Sequence, residues 1–208
     1  MKKLLIIIFL FFLISKPVMA VDPVNEDVYT KVFEGWNLYT QSLVTRSKPI
    51  MASELIKSMN LQGGLISTVS RWESGRYEDF VMRPNGEVYG QDFSIEIGRS
   101  YFIRNYKEFN YHVNGTPIGS WHLQLSAGYN FVGVPVTNVS GNISGFAQTI
   151  VSRSLTASPE ISRFVSGLFQ TYVIKQGQAY GQDFQFDRFH GYVIKVDKSL
   201  DLDIKRTQ

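Results

Sequence analysis

Cysteine is missing from all 208 residues. Disulfide staples, thiol nucleophiles and thiolate metal sites are therefore excluded, and the fold must be held by packing alone. Histidine is scarce: His112, His122 and His190 share no metal-ligand spacing. Neither H-E-x-x-H nor G-x-S-x-G occurs, so no metal and no cofactor is expected. Long apolar runs are scarce as well. The longest covers residues 4–14, short of the roughly 20 residues that span a bilayer. An outer-membrane barrel would need strands of about 9–11 residues with an uninterrupted lipid face. The helical segments described below and the polar end Lys205-Arg206-Thr207-Gln208 argue against one.

The short apolar run has another meaning. Lys2 and Lys3 precede it, and Val18 and Ala20 follow at the −3 and −1 positions of a cleavage site. This is the pattern of a secretory signal peptide over residues 1–20, cut after Ala20, with the mature chain beginning at Val21. A secreted, periplasmic or cell-surface location is expected, with no transmembrane segment after cleavage. Charge is lacking too once the signal is set aside. The chain carries 21 Lys+Arg against 18 Asp+Glu, and Lys2, Lys3 and Lys16 lie in the signal, which leaves 18 against 18. A balanced chain has no electrostatic footprint for nucleic acid.

Aromatic residues are abundant, at 14% of the chain, and large rings supply much of a core's burial. They recur in order. Tyr-Gly-Gln-Asp-Phe stands at residues 89–93 and again at 180–184. Gly35-Trp36-Asn37-Leu38 reappears as Gly128-Tyr129-Asn130-Phe131, and Arg71-Trp72 with Gly75, Tyr77 and Phe80 as Arg163-Phe164 with Gly167, Phe169 and Tyr172. Tyr101-Phe102-Ile103-Arg104 reappears as Tyr192-Val193-Ile194-Lys195. A period near 90 is domain-sized, longer than solenoid repeats of roughly 20–50 residues. Two tandem modules are expected, residues 27–116 and 117–205, joined at the turn-forming cluster Asn114-Gly115-Thr116-Pro117.

Each module shows strand-like alternation and one helical stretch. In the first, Ser53 is expected to cap a helix with Leu55, Ile56 and Met59 on one face, closed by Gly63-Gly64. Phe146, Ala147, Ile150 and Val151 take the matching spacings in the second. Strands are expected at residues 65–72, 76–83, 100–106 and 108–113, and at 121–125, 160–164, 168–175, 191–197 and 200–204. The fold class is mainly β (α+β): two homologous small barrel-like or sandwich-like modules, each with one short helix.

The pieces, GWNL at Gly35, RWESGRY at Arg71 and QDFSIEIGRSYFI at Gln91, then GYNFVGVPV at Gly128, RFVSGLF at Arg163 and QDFQFDRFHGYVI at Gln182, resemble the GWNL modules of exported bacterial and archaeal proteins. The resemblance covers nearly the whole mature chain. It implies accessory, surface or structural units rather than catalysts. The first copy keeps Gly98 but has Ser100 where the pattern has a second glycine. The second keeps Gly191 but has Phe189 in place of the first glycine.

Chemistry favours a structural use of the repeated corners. Gly90 and Gly181 suit a positive φ, Asp92 and Asp183 suit backbone N–H groups in a turn, and Phe93 and Phe184 suit the core. A calcium corner would need about 6–8 oxygens, which neither copy supplies. Asn37 and Asn130 are turn-bridging, with Gly35, Trp36, Gly128 and Tyr129 sealing the same corners. The candidate ligand platform is Trp72, Tyr77 and Tyr89 with Phe164, Phe169 and Tyr180, since exposed aromatic surface marks binding sites. Set against it is the reading that these rings, with Phe102, Tyr106 and Tyr192, turn into each module's own core. Carboxylates are numerous, but Glu73, Glu78 and Asp79 have no acidic match in the second copy, which disfavours a duplicated catalytic site. Sequons stand at Asn114, Asn138 and Asn142.

The expected function is that of an exported, non-catalytic binding or surface-associated protein whose aromatic surfaces contact a polysaccharide or an envelope protein. The alternatives are an envelope structural or assembly subunit and a small carbohydrate-active hydrolase. If the modules pack together, a groove between them is the expected ligand site.

Overall fold

Alternation decides the architecture. In runs such as Tyr101-Phe102-Ile103-Arg104-Asn105, odd positions are buried and even positions are only partly covered, the period-2 signature of strands with one face on a core. The computed structural model describes residues 25–135, 141–154 and 158–205; the signal segment and Asn138 lie outside them. In chain order the elements of the first half are β1 (Glu26–Val32), β2 (Gly35–Thr40), β3 (Leu43–Val44), β4 (Ile50–Met51), α1 (Ala52–Leu61), β5 (Ile66–Glu73), β6 (Arg76–Met82), β7 (Val88–Tyr89), β8 (Ser94–Ile95), β9 (Ser100–Asn105) and β10 (Phe109–Pro117). The second half has β11 (Ser120–Leu125), β12 (Gly128–Gly133), α2 (Ile143–Arg153), β13 (Glu160–Val165), β14 (Leu168–Lys175), β15 (Gln178–Gly181), β16 (Gly191–Val196) and β17 (Leu200–Lys205).

The chain is mainly β, and its described strands form several open sheets rather than a closed barrel. Two five-stranded antiparallel sheets dominate, ordered β2-β9-β5-β6-β7 and β12-β16-β13-β14-β15. Each is accompanied by an antiparallel pair, β1 with β10 and β11 with β17. The helix of each half crosses the inner face of its own sheet. Ala52, Leu55, Ile56 and Met59 of α1 are buried in one core, and Ile143, Phe146, Ala147 and Ile150 of α2 in another. Tyr101 and Tyr192 are fully buried at matching places in these cores. A large side chain removed from water this way contributes roughly 1.5–3 kcal/mol.

The repeated pentapeptide docks the helix. Phe93 O accepts the Ala52 N–H at 2.8 Å, and Asp92 accepts the Ser53 N–H at 3.1 Å and its hydroxyl at 2.6 Å. In the second half Phe184 O accepts the Ile143 N–H at 2.7 Å, and Asp183 accepts the Ser144 N–H and hydroxyl at 3.0 and 2.8 Å. Two of the four orphan N–H groups of each helix are thereby satisfied by a segment about 40 residues downstream, where a carboxylate also favours the positive end of the helix. Ser53 is therefore not the cap: Met51 holds that position, and Ser53 lies inside the first turn. Gly90 and Gly181 take φ of +84° and +90°, and a Cβ would stand 1.9 Å from Asp79 O and 2.1 Å from Thr171 O. No other residue fits. Phe93 stacks on Tyr101 at 6.1 Å beneath Arg71, and Phe184 on Tyr192 at 6.4 Å beneath Arg163.

The halves pack through the free ends of β2 and β12. The Thr40 N–H donates to Phe189 O at 3.1 Å, and the Gly133 N–H to Gly98 O at 2.8 Å. Thr40 and Gly133 occupy matching places after Gly-Trp-Asn and Gly-Tyr-Asn, as do Gly98 and Phe189 before Tyr101 and Tyr192, so the contact has an approximate two-fold axis. The side chains across it are not alike. A Cβ on Gly191 would lie 2.3 Å from the Ser100 hydroxyl, and one on Gly133 would lie 2.0 Å from the Thr40 hydroxyl. Ser100 Oγ donates to Val132 O at 2.5 Å and accepts from the Tyr192 N–H at 3.2 Å. Phe189 enters the core of the first half, while Gly98 leaves room for the Trp121 ring. The departures from the double-glycine pattern thus lie at the junction between the halves.

Candidate functional site

The outer face of each large sheet, turned away from its helix, is where the site forms. Cross-strand partners share a face, so Trp36 on β2 lines up with Arg104 on β9 and Thr68 on β5. The next row holds Leu38, Phe102, Ser70 and Asp79, and beyond it Trp72 faces Tyr77 across the β5–β6 hairpin. On the second sheet the corresponding rows are Tyr129 with Lys195 and Glu160, Phe131 with Val193, Ser162 and Thr171, and Phe164 with Phe169.

These two outer faces meet, and their rings interlock. Trp72 lies 4.8 Å from Tyr77 and 5.8 Å from Phe131 between ring centroids. Phe102 lies 5.8 Å from Tyr77, 6.0 Å from Phe131, 6.4 Å from Phe164 and 6.5 Å from Trp36. Phe164 in turn meets Phe169 at 4.8 Å. Most of these contacts are edge-to-face, the arrangement that ring quadrupoles favour. Beside the cluster opens a groove of about 370 Å³, lined by Trp36, Ser70, Tyr77, Asp79, Phe102 and Phe164. It sits where the halves adjoin.

Of the six aromatic residues expected to form a platform, Trp72, Tyr77, Phe164 and Phe169 come together here. Tyr89 and Tyr180 do not. They lie on the outer strands β7 and β15, Tyr89 beneath Arg83 with its hydroxyl on Glu87, and Tyr180 with its hydroxyl on Gln178. The alternative, that these rings fill each module's own core, holds for Tyr192, which is fully buried; Trp72, Tyr77 and Phe169 remain 37%, 51% and 54% exposed. The corners also divide. Asn37 bridges its turn, accepting the Phe33 N–H and donating to Phe33 O, both at 2.9 Å, and Asn130 does the same at Ser126. Trp36 and Tyr129 do not seal those corners. They are exposed and carry Arg104 and Lys195 at 5.7 and 5.2 Å. Phe131 and the pairing of Ser70 with Asp79 were missed. The signal that could have found them was alternation: both stand on the opposite face from the core residues Val69, Phe80 and Val132.

Electrostatics set Asp79 apart. Glu73 is held below the ordinary carboxylate range chiefly by its hydrogen bond from Arg99, which also bonds Trp72 O and so fastens the tip of the hairpin. Glu78 is lowered by Arg71. Asp187 is lowered against a large burial penalty by His190 and by backbone N–H groups. The Asp79 carboxylate, by contrast, has no hydrogen bond or ion pair among the described residues. Burial raises the Tyr77 phenol. Among the described residues the groove lining contains one carboxylate, one aliphatic hydroxyl and four rings. His112 and His122 bond Asp27 and Asp203 on remote surfaces. Among the described residues no cluster of three His, Asp or Glu side chains could hold a metal ion. The sequon residue Asn114 donates to Asp27, and Asn142 stands at the start of α2.

Comparison with known proteins finds no matching family model, no similar curated protein and no similar solved structure.

Proposed function

We propose that the protein is an exported, non-catalytic binding protein of two GWNL-type modules, and that its ligand enters the aromatic groove at their junction. The observation that carries this is the convergence of rings from both halves around an open groove. A cluster of this kind left exposed marks a recognition surface. Among the described residues the lining holds a single carboxylate, which supports binding over glycoside hydrolysis, since hydrolysis uses a pair about 5–10 Å apart. The expected ligand belongs to the cell envelope, a glycan or a protein. The test mixes the purified chain with polysaccharides and envelope fractions, following tryptophan fluorescence, co-sedimentation and the release of reducing ends. Saturable binding that Phe102→Ala abolishes, with no new reducing ends, is the expected result. New reducing ends would overturn the non-catalytic reading. Self-association without binding would favour an envelope structural subunit.

A further inference from the structure

The groove's chemistry is one-sided. Its walls are the rings of Trp36, Tyr77, Phe102 and Phe164, and its polar groups are the Asp79 carboxylate, the hydroxyl of Ser70, which is 4% exposed, the Tyr77 phenol and the Trp36 indole N–H. Among the described residues no Lys, Arg or His lines it. Arg104 rests 5.7 Å from the Trp36 ring and 5.2 Å from the Tyr106 ring. Ring faces carry negative potential and attract cations, and a carboxylate without a partner adds a full charge of the same sense.

Counting donors narrows the class of cation. A primary ammonium has three N–H donors and a guanidinium five, and each donor left without an acceptor in a desolvated site carries a cost. Four rings make up most of the lining and present faces rather than acceptors, so N–H groups turned toward those faces go without a partner. A quaternary ammonium has no N–H at all and needs only ring faces and a counter-charge.

We infer that the groove binds a quaternary ammonium group, with Asp79 as counter-ion and Trp36, Tyr77, Phe102 and Phe164 as walls. This rests on the reading of the groove as the ligand site. In the second half the matching positions hold Thr171 in place of Asp79 and Val193 in place of Phe102, and Thr171 is bonded to Ser162 at 2.8 Å. One cationic site per chain follows.

The test titrates the tryptophan fluorescence of the purified full chain with choline chloride, and in parallel with dimethylbutanol, its neutral tert-butyl isostere, at constant ionic strength. Choline is expected to saturate one site at a concentration at least about tenfold lower than the isostere. Asp79→Asn, which leaves the rings in place, is expected to erase that preference while isostere binding and circular dichroism stay unchanged. Choline that releases the chain from sedimented envelope places the ammonium on an envelope polymer; choline that binds without releasing it identifies a free solute. No saturable choline binding, or equal binding of the two probes, overturns the inference. If Phe102→Ala still abolishes sedimentation with envelope in that case, the groove remains the ligand site for another ligand. If sedimentation is indifferent to Phe102→Ala, the groove reading falls as well.

Discussion

The two halves agree where they dock their helices and differ where their outer faces meet. Asp92 with Ser53 and Asp183 with Ser144 make the same bonds within 0.2 Å, and the rings of Phe93 and Phe184 stack on the matching tyrosines Tyr101 and Tyr192. On the outer face the first half has Trp36, Asp79 and Phe102 where the second has Tyr129, Thr171 and Val193. Agreement at the corner reflects a constraint of backbone geometry, since neither glycine nor aspartate can be exchanged there without strain or an orphaned N–H. Divergence on the face marks the part of the surface that the fold does not dictate, and it is the part that lines the groove.

The comparison can be broken first at the corner. Gly90→Ala forces a side chain onto a positive φ and against Asp79 O, and should cost about 3 kcal/mol or more. Gly181→Ala should cost a similar amount in urea unfolding. A large difference between the two would mean that the corners are not equivalent. The junction comes next. Gly191→Ser places a hydroxymethyl group against Ser100, an overpacking worth about 1–3 kcal/mol. Adding Ser100→Gly in the same chain should recover most of that loss, a coupling that only residues in contact show. Independent effects would contradict the packing of the halves described above.

Smaller effects test the helix docking. Asp92→Ala should cost about 1 kcal/mol, the usual value of a lost helix cap. Asp183 adds a dependence on pH. Slight burial pushes its carboxyl up, and the Ser144 hydroxyl and N–H outweigh that, so the folded value lies below the ordinary 3.8. A lowered folded value means that the contribution is complete above about pH 3.8 and is lost as pH falls through the folded value. Asp183→Asn should therefore flatten the acid limb of the stability curve below pH 3.8 and leave the neutral region almost level.

Much of the fold was legible because alternation and turn residues act locally. The strands at 76–82, 168–175 and 191–196 are clear in Arg76-Tyr77-Glu78-Asp79-Phe80 and its counterparts, and α2 in the spacing of Phe146, Ala147 and Ile150. What was not legible depends on distant segments. Ser53 resembles a helix cap until Asp92 arrives from 39 residues downstream. Trp72 and Tyr77 resemble core residues because both faces of β5 and β6 carry apolar side chains, and only the second sheet decides what the outer face meets. Ser100 and Phe189 look like losses from a glycine pattern, whereas Ser100 fills the space that Gly191 leaves open and Phe189 enters the core of the first half.

The central claim is that the ligand site lies in the junction groove over Phe102, with Phe164 contributed by the second half, and that the matching place at Val193 carries no site of its own. The measurement that tests it most directly is co-sedimentation with envelope fractions for two single variants, Phe102→Ala and Val193→Ala, which stand at matching positions on β9 and β16. The account predicts that Phe102→Ala loses binding and that Val193→Ala retains it. Equal loss in both, or loss only in Val193→Ala, would contradict it.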